Sequence, residues 1–118
     1  MKRLSILLLL CLTAPSFAAD RLVVVELFTS QGCSTCPPAD AYLAELVQRP
    51  GVLALGFHVD YWDYIGWRDP FADIAYTARQ RAYAQRLKLP YVYTPQMLVD
   101  GAWEGAGTDK RNVDRAIA

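Results

Sequence analysis

Two strand-length apolar runs, Leu22 to Phe28 and Val52 to Val59, flank a helix-length segment that opens on Pro37-Pro38 and closes at Pro50-Gly51. This arrangement constrains the fold more than any other feature. Strands joined through a helix pair in parallel, with a right-handed crossover. Val23, Val24 and Val25 in succession suit a strand buried on both faces. Val52 to Val59 reads as a second buried strand. The helix between them is expected from Pro37 or Pro38 to about Gln48, with Leu43, Leu46 and Val47 on its apolar face.

The remaining chain extends the pattern. Asp60 to Arg68 is an aromatic loop. Asp69-Pro70 joins a cap residue to a proline at the first helical position, which predicts a helix running to about Leu87. Phe71, Ile74, Ala75, Ala78 and Ala82 fall near helical spacing along it. Gln96 to Val99 is a short strand, Asp100-Gly101 a hairpin turn, and Ala102 to Glu104 the returning strand. Thr108 or Asp109 caps a last helix carrying Val113, Ala116 and Ile117. The predicted fold is α/β, a central mixed sheet flanked by helices. Its order of strand, helix, strand, helix, strand, strand, helix is that of the thioredoxin fold.

The chain of 118 residues is enough for one domain. Twelve basic and twelve acidic residues cancel, which argues against nucleic-acid binding, since that needs a basic surplus. Residues 1–18 stand apart. Met1-Lys2-Arg3 is a positive start, Leu4 to Thr13 an apolar run, and Ser16-Phe17-Ala18 a small-x-small cleavage site. The run is shorter than the roughly 20 residues that span a bilayer. It reads as a signal peptide cut after Ala18 or Ala19, leaving 19–118 as the domain with no stable membrane span, in the periplasm or secreted. Cys11 leaves with the signal, so Cys33 and Cys36 become the only cysteines, in a compartment that favours disulfides.

Cys33-Ser34-Thr35-Cys36 lies between the first strand and the start of the first helix. A thiolate is the exchanging species, and the positive end of a helix favours it. Cys33 is expected at or just before that end, and Cys36 one turn inside and less exposed. Cys33 then attacks a disulfide and Cys36 resolves the mixed disulfide. The same pair also fits an inert structural disulfide or, with two more ligands, half of a zinc site; His58 is the only histidine.

Three further features bear on this chemistry. Glu26 stands inside an apolar strand. Buried, its carboxyl is a proton shuttle for Cys36; turned to the sheet edge, it is simply solvated. Thr94-Pro95 precedes a short strand, where an X–Pro bond adopts cis cheaply, and beside the cysteines it would offer the Thr94 backbone to an extended peptide. The plain alternative is a trans turn. Tyr61, Trp62, Tyr64 and Trp67 either dock a peptide or, as large aromatics mostly do, cover the core. His58 is expected as a satisfied core residue, Arg79, Arg81, Arg86 and Lys88 as a solvated basic face, and Met97 as core.

The run from Glu26 to Asp40, with Phe28-Thr29-Ser30-Gln31-Gly32-Cys33-Ser34-Thr35-Cys36-Pro37-Pro38-Ala39-Asp40 at its centre, resembles the signature of an exported bacterial thioredoxin-like family of unknown function. His58 to Asp63, Gly66 to Phe71, Arg79 to Tyr83 and Tyr93 to Met97 extend the resemblance over nearly all of the mature chain. It implies a thioredoxin fold with Pro95 as a cis-proline facing Cys33, and a buried acid near Glu26. Members are usually longer at the C-terminus, so the domain is expected to be truncated there. Strongly oxidising relatives carry a positive group between their cysteines. Ser34-Thr35 has none, which implies an intermediate or reducing potential.

The expected function is thiol–disulfide exchange with protein thiols or disulfides and an unidentified redox partner, with no cofactor and no resident metal. Two alternatives belong to other classes. One is a copper(I) carrier using Cys33, Cys36 and Met97 or His58. The other is a non-catalytic domain whose disulfide is a staple.

Overall fold

A computed structural model describes residues 21–118. The expected signal segment and Cys11 lie outside the described residues. Val23–Thr29 forms β1, Pro37–Val47 α1, Val52–His58 β2, Ile74–Arg86 α2, Gln96–Val99 β3, Trp103–Ala106 β4 and Lys110–Ile117 α3, with a short 3-10 turn at Asp63–Ile65. The sheet runs β2-β1-β3-β4. β1 and β2 are parallel, with Val25 opposite Ala54 and Thr29 opposite His58. β3 pairs antiparallel with β1, and β4 with β3. This is the mixed sheet and the element order expected from the sequence.

Alternation along the strands divides the core in two. Val25, Leu27, Met97 and Val99 face α1 and α3, packing on Ala39, Tyr42, Leu46, Val113 and Ile117. Phe28 and Leu98 join Val59 in a second cluster, covered by Phe57, Tyr61, Trp62, Tyr83 and Leu87. β1 is central and its last five residues are buried. β2, expected to be buried, is half-buried, with Leu53 exposed, because it forms one edge of the sheet. Asp100 and Gly101 both adopt positive φ, as the expected tight turn requires. Asp109 caps α3 by accepting from the Asn112 N–H.

α2 departs from expectation in start and in face. It begins at Ile74, capped by Asp73, which accepts from the Ala75 N–H. Phe71, Ile74, Ala75, Ala78 and Ala82 are exposed. The buried residues are Thr77 and Gln80, with Tyr76, Tyr83, Ala84 and Leu87 half-buried beside them. These positions are held by hydrogen bonds rather than by apolar contact alone. Thr77 donates to Asp60, and Gln80 receives Tyr61 and donates to the Tyr93 carbonyl and Gln96. In α1, Leu46 is buried and Leu43 half-buried as expected, but Tyr42 takes the inner position and Val47 faces out.

Candidate active site

β1 carries the chain to one end of the sheet, and three residues link it to the cysteine pair. Each of the three is pinned. Ser30 is buried, and its hydroxyl accepts from the Gly32 N–H while its carbonyl accepts from the Cys33 N–H. The Gln31 N–H donates to Asp69 Oδ2 at 2.9 Å. Gly32 lies against the aromatic loop: a Cβ there would sit 3.1 Å from Trp62 Cβ and 3.3 Å from Ile65 Cδ1. A side chain here would push the aromatic loop back by a few tenths of an ångström, so glycine suits the close approach.

Cys33 and Cys36 form a disulfide with Cα atoms 5.4 Å apart. Cys36 is wholly buried and Cys33 is 4% exposed, so the first cysteine is the more accessible one, although only slightly. Thr35 Oγ1 lies 3.6 Å from Cys33 Sγ. α1 opens at Pro37 as expected, but Cys36 is not one turn inside it. Cys36 itself is the N-cap of α1, and Cys33 precedes the helix, accepting from the Cys36 N–H. Pro37 and Pro38 fill the first two helical positions and carry no N–H. Ala39 is therefore the first residue of α1 with an amide to offer.

The Thr94–Pro95 bond is cis, as the family resemblance implied and against the plain trans turn. Trp62 Nε1 donates to Thr94 Oγ1 at 2.7 Å, so one tryptophan touches both Gly32 and Thr94. Gly107 completes the packing. A Cβ on it would meet Ala39 Cβ and Leu27 Cδ1 at 3.0 Å and Pro95 Cβ at 3.2 Å, and its N–H donates to the Pro95 carbonyl. The first turn of α1, Pro95 and the aromatic loop are thus gathered at one end of the sheet. Tyr61 and Trp62 cover the core, whereas Tyr64, Ile65 and Trp67 are exposed, with Trp67 Nε1 donating to Gln31 Oε1.

Glu26 is buried, at 3% exposure, but not beside α1. It shares the sheet face of Phe28 and Leu98, under α2. Arg79 clamps both its oxygens, at 2.8 and 3.1 Å, and the Tyr83 hydroxyl donates to Oε1 at 2.6 Å. The hydrogen bond to Glu26 raises the Arg79 pKa further, and burial followed by the same carboxylate raises that of Tyr83. Arg79 keeps 47% of its side chain exposed, so it belongs to the solvated face expected of it while reaching in to pair with the buried Glu26, and its guanidinium also lies over the Phe57 ring.

Asp69 plays a part that the sequence did not suggest. Read there as a helix cap, it is instead a buried tie between loops. It accepts from the Gln31 and Phe71 N–H groups and meets His58 Nδ1 at 2.5 Å. Burial pushes its carboxyl up, but the Gln31 amide, the His58 ring and the Phe71 amide outweigh it and hold the pKa below the ordinary range. His58 is thus the satisfied residue that the sequence implied. The signal at Asp69-Pro70 was ambiguous because its main partner lies 38 residues upstream. Met97 is buried in the core, as expected. Among the described residues no group of three or more His, Cys, Asp and Glu side chains is placed to hold a metal ion.

Comparison with known proteins places the chain without naming an activity. No curated protein matches it. It is similar to a protein from Agrobacterium tumefaciens solved by X-ray crystallography, at 46% identity and a TM-score of 0.77. The match covers 84% of this chain and 46% of that one, so the chain spans less than half of that protein's length. Residues 24–118, all of the described elements apart from the first residue of β1, match the model of a protein family of unknown function, DUF1223, and the chain belongs to that family.

Proposed function

We propose that this chain is an exported thiol–disulfide oxidoreductase, with Cys33 as the attacking and Cys36 as the resolving cysteine. The observation that carries this reading is the placement of the Cys33–Cys36 disulfide at the β1–α1 junction, where Asp69 ties the aromatic loop to Gln31 just before the cysteines and Trp62 ties it to Thr94. A buried resolving cysteine behind a slightly exposed partner suits sequential attack and release. The substrates are protein thiols or disulfides, and the electrons pass to or from a separate redox partner. The basic, then apolar, N-terminal residues 1–18 support export to the periplasm or beyond.

The test is an equilibrium titration of the pair against graded glutathione buffers, read by thiol trapping and intact mass, with metal content measured on the same sample. An exchange catalyst gives a two-electron transition between about −120 and −270 mV. A potential below about −300 mV marks a structural disulfide and sinks the proposal. Thiols kept reduced by a tightly held copper or zinc ion replace it with the carrier reading.

A further inference from the structure

Exchange through Cys36 requires its thiol to lose a proton, because the resolving species is the thiolate. Cys36 is wholly buried, so the proton needs an acceptor within the protein or at its margin. Glu26 is already engaged: three donors from α2 occupy it on the sheet face away from α1. The acid on the cysteine helix is Asp40.

Asp40 stands one helical turn beyond Cys36, and its N–H donates to the Cys36 carbonyl at 2.9 Å. Residues four apart share one helix face, and helical side chains lean toward the N-terminus, so the side chain at position 40 is on the face of residue 36 and leans toward it. Its direction is further fixed from the sheet. Thr29, buried at the end of β1, donates its hydroxyl to Asp40 Oδ1 at 2.6 Å. Among the described residues Oδ2 accepts no hydrogen bond, and Asp40 is half-buried, so the second oxygen is free to take up a proton and pass it to water.

We propose that Asp40 is the proton acceptor for Cys36, a reading that rests on the exchange function proposed above. The step balances as follows. Cys33 is joined to a substrate sulfur in the mixed disulfide. Asp40 takes the proton from the Cys36 thiol, and the thiolate attacks Cys33 Sγ. The Cys33–substrate S–S bond breaks, and the substrate leaves as a thiolate that takes a proton from water. The Cys33–Cys36 disulfide forms, oxidised by two electrons, and the substrate disulfide is reduced by the same two. In the oxidising direction the same carboxyl returns the proton to Cys36 as it departs.

The experiment mixes the reduced chain with a peptide disulfide, quenches with acid and follows the mixed disulfide by intact mass. Its rise reports attack by Cys33 and its decay reports resolution by Cys36. Asp40→Asn keeps an oxygen that can accept from Thr29 but cannot take a proton. It is expected to leave the rise unchanged and slow the decay about a hundredfold, the scale of a lost general base. Asp40→Glu is expected to restore most of the decay rate. Asp40→Ala, helped by the helix propensity of alanine, gives the same slow decay should the Asn variant fold poorly. Decay at the wild-type rate in folded Asp40→Asn or Asp40→Ala overturns the assignment while leaving the exchange reading intact. Equal slowing of rise and decay marks a structural role and also overturns it. A wild-type chain that never forms a mixed disulfide overturns both readings together.

Discussion

Asp69 concentrates more constraint than any other single side chain near the cysteines. Three donors from separate segments converge on a carboxylate that is almost wholly buried. Removing it would strand the Gln31 and Phe71 amides and the His58 ring, and orphaned buried donors are costly. Asp69→Ala is expected to lose about 3 kcal/mol in urea unfolding. The pH dependence has a definite sign. The folded carboxyl sits below its ordinary 3.8, so folding favours the ionised form. Its stabilisation is fully present above that ordinary value and drains away as pH falls through it toward the folded value. The stability gap between wild type and Asp69→Asn should therefore narrow as pH falls below about 4. A gap that widens below about pH 4 would contradict the ionised tie. Glu26 shows the same principle in another setting: the sequence marked a costly carboxylate in an apolar strand, but the cation that pairs with it, Arg79, lies 53 residues away and reaches in from a surface position.

At the scale of elements, α2 teaches most about what a sequence conceals. Its apolar residues Phe71, Ile74, Ala75, Ala78 and Ala82 suggested a greasy stripe, yet that stripe faces solvent and a polar one faces in. Hydrophobic periodicity assumes that apolar contact decides which face turns inward. Here specific hydrogen bonds decide it. Gln80, wholly buried, connects Tyr61, the Tyr93 carbonyl and Gln96, and Gln96 passes the chain of bonds to Glu104, which also receives Tyr93. This network holds the segment that delivers Thr94–Pro95 against the sheet. Gln80→Leu is expected to cost about 2 kcal/mol, since it orphans groups on β3 and two loops, and to lower the thermal midpoint accordingly. An unchanged midpoint would show that the network is dispensable. The helix–strand alternation, the hairpin turn, the last cap and the cysteine junction were legible, because each rests on local chemistry. The start of α2 was not, because Asp69 and Asp73 are equally good caps in sequence and only the distant Gln31 amide claims the first.

For the molecule as a whole, loop length bears on what the disulfide can contribute. Cys33 and Cys36 are three residues apart, so the bond closes a very small ring. A chain-entropy estimate for so short a loop gives about 2 kcal/mol, well under that of bridges joining distant segments. Reduction should thus leave the fold in place and lower its stability by no more than about 2 kcal/mol, as measured by urea unfolding with and without reductant. Collapse on reduction would favour the staple reading instead. The core that makes this possible is built on both faces of β1, from Val25 and Leu27 on one side and Phe28 on the other.

The connection between β1 and the cysteines has a consequence for how such a chain can vary. Ser30, Gln31 and Gly32 are each fixed by a different means, through a hydroxyl, a backbone amide and the want of a side chain. An added residue would push at least one of them out of reach of its partner, and a deleted one would draw Cys33 back into the strand. Gains and losses of sequence should be far easier to absorb at the exposed Ala102, beyond the hairpin turn, than anywhere between Thr29 and Cys33. In that stretch the residue count is itself fixed by the architecture, enforced by geometry at three successive positions.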